Sequence, residues 1–250
     1  MNKNRLKEYI SRLYRILPSF YDPYALRVLL YHSVTRTNIS NDLWSLELQK
    51  FQSHLDYLLA SGTDIYSATN LKKCIPQHGI VITFDDGLKN NYELAAPELI
   101  SRKIPFTIFV VGEFIKKSKN NYITKDMLRD LSNSEFVTIG SHSFTHKRLD
   151  NCSPNELKHE IYDSKIYLED LLGMEVDLFS YPFGAHNNLT NKELKKAGYK
   201  LAFTSNFFIN PQYQDKFLLN RNEIWNTDNL KFFMQKLDGD WDWLRYRTKI

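Results

Sequence analysis

Short apolar runs alternate with stretches of helical periodicity along most of the chain. Seven runs, at 27–32, 80–84, 106–111, 136–141, 178–181, 201–204 and 218–224, read as strands bounded by turn-forming residues. Between them lie well-marked helices. Leu48, Phe51, Leu55, Leu58 and Leu59 fall on one face, and Gly62 ends it. Ser153-Pro154-Asn155-Glu156 is a capping box with proline at the first helical position. Leu157, Ile161, Ser164, Leu168 and Leu171 continue that helix on one face until Gly173 stops it. Thr190-Asn191-Lys192-Glu193 opens a shorter helix that Gly198 closes. Repeated strand–helix units predict an α/β fold: a single incomplete (β/α) barrel of about seven parallel strands. In such barrels the chemistry sits at the C-terminal strand ends.

Length and charge narrow the picture. The 250 residues suit one large domain, and a net charge of +4 without a compact basic stripe excludes nucleic acid as a partner. Cys74 and Cys152 read as two reduced thiols, with one disulfide between them as the alternative. Leu6, Ile10, Leu13, Tyr14 and Leu17 recur at helical spacing among Lys3, Arg5, Lys7, Arg12 and Arg15. Residues 1–25 are therefore expected to form an amphipathic helix and lead-in ahead of a domain at 26–250. That helix either docks on the domain or lets residues 3–17 lie against an anionic membrane surface. Arg12 and Arg15 interrupt any signal-peptide core, and no run is long enough to span a bilayer. The expected address is the cytoplasm, or the inner face of its membrane.

Three strand ends carry chemistry. Val81-Ile82-Thr83-Phe84 runs into Asp85-Asp86-Gly87. Adjacent carboxylates repel one another unless a cation relieves them, although the same residues suit a surface turn. Gly140-Ser141-His142-Ser143-Phe144-Thr145-His146 follows the fourth run. Two histidines four apart reach one metal if the segment is a helical turn; otherwise one is a core and one a surface histidine. One Asp and two His leave a coordination position open for water, the pattern of a catalytic metal, and a second Asp beside them suits a general base. Phe179-Ser180-Tyr181-Pro182-Phe183-Gly184 ends the fifth run. Its Pro and Gly allow a turn that aims N–H groups at an oxyanion, or an ordinary loop.

Across 28–224, these motifs in this order resemble the polysaccharide deacetylases of carbohydrate esterase family 4, with a NodB-like domain. The resemblance implies a hydrolase that removes N-acetyl groups from an amino-sugar glycan. It makes Asp85 the general base and Asp86, His142 and His146 the ligands of one divalent metal. The Thr145 hydroxyl would support the ligand loop, the Phe183 N–H would hold the oxyanion, and Tyr181, Pro182 and Phe183 would face substrate. Zn suits such a set best, while Ni, Co, Mn or Fe accept similar ligands.

Two positions depart from the family pattern. Ser180 stands where an arginine usually orients the base, and no histidine follows His186 to supply the usual late L-x-x-H. The first strand, however, reads Leu29-Leu30-Tyr31-His32. This is similar to the circularly permuted poly-N-acetylglucosamine deacetylases and gives His32 the general-acid role. Arg221 is the candidate for the missing arginine, the alternative being a pair with a purely structural carboxylate. The expected partner is an N-acetylated glycan or a lipid- or nucleotide-linked amino-sugar precursor. The same scaffold with its catalysis disabled would bind glycan only, and O-acetyl groups or a small amide offer a like carbonyl. Trp241, Asp242 and Trp243 are expected to dock on the outside of the barrel. His186 is expected at the surface or along the groove.

Overall fold

A computed structural model describes residues 25–39 and 41–246; the expected N-terminal helix lies outside them. All seven expected strands are present: β1 (Leu26–Tyr31), β4 (Gly79–Phe84), β5 (Phe106–Val110), β6 (Val137–Ser141), β7 (Leu178–Ser180), β8 (Leu201–Phe203) and β9 (Asn222–Glu223). They pair in parallel, in the order β8-β7-β6-β5-β4-β1-β9. A separate parallel pair joins β2 (Ser33–Thr35) to β3 (Ser45–Glu47). The strands are mostly apolar and almost wholly buried because both faces of the curled sheet are covered. One core lies outside the sheet around Tyr31, Phe51, Phe84 and Phe106, and another fills the interior around Val28, Val81, Phe109 and Phe203.

The last strand is shorter than its apolar run because it changes partners. Leu219 bridges to Phe203 of β8, and three residues later Asn222 pairs with Leu29 of β1. The segment 219–223 thus crosses the gap between the sheet's edges. Arg221, midway along it, points into the barrel.

Two helical expectations shift in detail. In the helix Leu48–Ala60, the buried positions are Phe51, His54, Leu55 and Leu58, while Leu59 is 49% exposed. At 100° per residue Leu59 falls to the edge of that stripe, and His54 lies inside it. The late helix runs Asn188–Lys196 and is capped by Asn187, whose side chain accepts from the Thr190 N–H. The capping box at Ser153 forms as expected, and Gly173 ends its helix in the left-handed conformation. Within that helix His159–Asp163 is a wider, π-helical turn.

The C-terminal run docks on the barrel. Arg27, pointing outward from β1, donates to both carboxylate oxygens of Asp242 at 2.8 and 3.0 Å, and both residues are buried. Trp241 packs with Phe207, Trp225 and Leu244. Both cysteines are free thiols. Among the described residues no helix is long and apolar enough to cross a membrane.

His54 stacks on Phe233 at 3.9 Å, and its Nε2 lies 3.1 Å from the Asp228 carbonyl. Burial first, then the charges of Lys236 and Lys50, lower its pKa to about 3, against partial support from that carbonyl. The unfolded chain therefore binds this proton more tightly than the folded one. Stability contributed by a neutral His54 is whole above pH 6.5 and is lost as pH falls toward 3. The prediction is that urea midpoints of the wild type fall more steeply than those of His54→Gln over this window. Parallel curves would show that His54 does not titrate on unfolding.

Candidate active site

A cavity of about 360 Å³ opens at the C-terminal ends of the strands, and His32, Asp85, Asp86, His142, His146 and Arg221 all line it. The sheet creates this meeting. β1 lies beside β4, and β6 reaches β7 through the Ser141–Phe179 pairing, so motifs far apart in sequence share one rim.

Asp85 and Asp86 are adjacent yet have different partners, and the backbone is the reason. Asp86 (φ 71°) and Gly87 (φ 65°) are both left-handed. Glycine meets this at no steric cost, and a Cβ on Gly87 would also lie 2.8 Å from a Val110 methyl. Asp85 turns inward. Its two oxygens accept from Arg221 Nη1 and Nη2, each at 2.7 Å, and the Ser180 hydroxyl donates to it at 3.0 Å. Burial works to raise its pKa, but Arg221 above all, then His142, hold the carboxyl well below the usual carboxylate range. Asp86 faces the histidines instead. One of its oxygens lies 3.5 Å from His142 Nε2 and 3.3 Å from His146 Nε2.

The histidines do not converge through a helical turn, as their spacing suggested. Ser143 (φ 63°) and His146 (φ 66°) are left-handed, and the ring centroids come within 4.9 Å. Non-glycine residues in this region cost about 1–3 kcal/mol each and persist where the surroundings enforce them. His142 Nδ1 lies 2.8 Å from the Ser180 carbonyl, which can only accept, so Nδ1 carries the proton and Nε2 offers its lone pair. Burial, the largest influence, lowers the His142 pKa to about 4, leaving the ring neutral near pH 7.

Ligand atoms of Asp86, His142 and His146 lie within 4.8 Å of one another. One carboxylate oxygen and two imidazole nitrogens, one of fixed tautomer, fit a divalent metal with an open coordination position.

Ser180, which stands where an arginine was expected, bonds both members of the replacement pair. It donates to Asp85 and accepts from Arg221 Nη2 at 2.8 Å. Arg221 Nε donates to the Thr204 carbonyl at 2.7 Å, which orients the guanidinium.

His32 follows β1 directly. Its ring sits 6.2 Å from that of Trp44, and its Nδ1 is buried without a hydrogen-bond partner among the described residues. Phe183 adopts φ 59°, and its ring, 57% exposed, packs edge-on against His146 at 4.8 Å. Tyr181 forms part of the cavity wall, but its hydroxyl is committed elsewhere, its one proton lying between two acceptors, Asn191 Oδ1 at 2.8 Å and the Phe217 carbonyl at 3.0 Å. Pro182 is buried and is not among the residues lining the cavity. His186 is half-buried against Tyr181, off the cavity wall.

Glu223 and Trp44 also line the cavity. Glu223 accepts from the indole N–H of Trp44 and of Trp225, each at 2.8 Å, and Trp44 is 49% exposed at the mouth. The two-residue spacing of Arg221 and Glu223 on one strand could have put both on the inner face. Nothing in the sequence signalled Trp44, which lies in the stretch between β2 and β3.

Breaking a buried ion pair by removing one partner typically costs about 3–5 kcal/mol. Arg221→Met is therefore expected to lower unfolding free energy by about that amount in urea titrations. An unchanged midpoint would mean that Asp85 does not depend on Arg221.

A family model described as polysaccharide deacetylase matches residues 72–202. A Bacillus subtilis protein named as a polysaccharide deacetylase, YxkH, is 28% identical over 191 residues, covering 73% of this chain. The chain spans only 65% of that relative's length. The poly-beta-1,6-N-acetyl-D-glucosamine N-deacetylase of Staphylococcus aureus is 25% identical over 206 residues, 70% of each chain. The solved structure of the Streptococcus pyogenes deacetylase PplD, in complex with acetate, superposes with a TM-score of 0.78 at 22% identity. It covers 86% of this chain and 99% of that one, a likeness of fold.

Proposed function

This chain belongs to the polysaccharide deacetylase family, and from that premise we propose that it is a metal-dependent hydrolase removing N-acetyl groups from an N-acetylhexosamine-containing glycan or glycan precursor. The observation that carries the reading is the meeting, in one cavity, of Asp86, His142 and His146 with an arginine-bound Asp85. A substrate-binding scaffold with disabled chemistry drew its support from the arginine missing at position 180. Arg221 on Asp85 removes that support.

Asp86, His142 and His146 would hold the metal, with zinc the best match to their donors. Such an ion supplies Lewis acidity toward the acetyl carbonyl and lowers the pKa of bound water to about 7. Asp85, kept ionised and aimed by Arg221 and Ser180, takes a proton from the attacking water. The Phe183 N–H faces the negative charge that develops on the carbonyl oxygen. His32 protonates the departing sugar amine, a poor leaving group until protonated. The products are acetate and a free amino sugar. The S. aureus relative is named for a poly-N-acetylglucosamine substrate, and N-acetylglucosamine oligomers are accordingly the first substrates to offer.

Acetate release from such oligomers should stop after dialysis against a strong chelator and return with Zn, Co or Ni; full activity in a verified metal-free sample would end this mechanism. The side-chain roles separate by metal content. Asp86→Asn and His146→Ala should lose metal, whereas Asp85→Asn should keep metal and lose turnover. His32→Ala should keep metal and lower kcat by about 10²–10⁴-fold, the usual contribution of a general acid. A near-normal kcat would remove His32 from the mechanism.

A further inference from the structure

Both histidines of the centre belong to one turn, and that turn is gripped from two sides. Its carbonyls point one way: Ser143 accepts from the Gly112 N–H at 3.1 Å and Phe144 from the Glu113 N–H at 2.7 Å. Its N–H groups point the other way, to a single side chain. One oxygen of Glu160 accepts from the N–H of Phe144 at 3.1 Å and of Thr145 at 2.8 Å, and its other oxygen accepts from the Thr145 hydroxyl. Glu160 comes from the π-helical turn His159–Asp163, a kind of turn found often at functional sites.

Glu160 is 1% exposed. A buried carboxylate is unfavourable unless it is fully hydrogen-bonded. All its hydrogen bonds go to this one turn, so the same contacts that make it tolerable fix the turn's shape. The neighbouring contacts agree. Ser164 meets Ser141 at 2.7 Å between hydroxyls, and the His159 ring packs on Phe144 at 4.7 Å. The helix carrying Glu160 therefore touches the segment immediately before and between the two histidines.

We infer that Glu160 is a positioning residue of the metal centre: its carboxylate holds the left-handed Ser143–His146 turn so that His142 and His146 converge on Asp86. Without it, the two N–H groups lose their acceptor. The turn then relaxes from a sparsely populated conformation, and the histidines separate. Glu160 touches neither ligand atom nor cavity; it acts through the backbone. The inference rests on the metal site proposed above.

The test is zinc affinity of the full chain, measured by competition with a chromophoric chelator. Loss of a residue that orients metal ligands typically weakens binding about 10–100-fold, and Glu160→Ala is expected to do so. Glu160→Gln should be milder, because its amide oxygen can accept the two N–H groups while its NH₂ donates to Thr145. Asp242→Asn, which strips another buried carboxylate away from the site, should lower the urea midpoint yet leave zinc affinity at the wild-type value. If Glu160→Ala does not fold, Glu160→Gln decides alone, by an affinity below wild type that Asp242→Asn does not share. A wild type that binds no zinc overturns the metal site itself. A wild type that binds zinc, with both Glu160 variants matching it or Asp242→Asn falling equally, overturns the role of Glu160 alone.

Discussion

The buried charge of Asp85 is the constraint around which the barrel is arranged. A carboxylate buried at the end of β4 loses most of its hydration, and a matched cation with filled hydrogen bonds replaces it. The bidentate guanidinium of Arg221, supported by Ser180 and Thr204, does so. Arg221 can reach Asp85 only because 219–223 crosses from β8 to β1 and aims alternate side chains inward. Closing the sheet and neutralising the carboxylate are thus one event. The outer layer serves the same strand: Lys236, buried with Asp228, donates to the Glu223 carbonyl at 2.7 Å, and Arg27 ties β1 to Asp242.

With Asp85 held by arginine, Asp86 is left for the histidines. Two neighbouring carboxylates acquire separate partners through a left-handed backbone at Asp86 and Gly87, and the histidine turn uses the same device at Ser143 and His146. Left-handed residues gather at this rim because side chains from different strands must point at one spot. Regular strand or helix geometry spaces them along a line. The packing of Gly140 and Gly112 against Phe109 and Phe144 lets these turns sit close to the sheet.

Much of the architecture was legible beforehand because it rests on local signals. Strand runs, the capping box at Ser153 and the glycine stop at Gly173 are local in sequence, and each forms. The cavity-lining set His32, Asp85, Asp86, His142 and His146 was legible because each ends or follows a strand, and parallel strands deliver such ends to one rim. The helix over Leu48–Ala60 was read correctly, but not the burial of His54, whose partners Phe233 and Asp228 lie far along the chain.

The sequence by itself determined the periodicities, the strand ends and the residue types that a metal and a base require, since these depend on near neighbours. Only the tertiary structure decided which charges meet. Asp85 pairs with a residue 136 positions away, Glu160 grips a turn 15 residues upstream, and Glu223 takes the indole N–H of Trp44. It also decided that the histidines converge through left-handed residues and that Pro182 is buried and not among the residues lining the cavity. Hydrogen bonds and ion pairs act over a few ångströms, and which groups come that close is set by how the sheet curls and closes, a property of the whole chain.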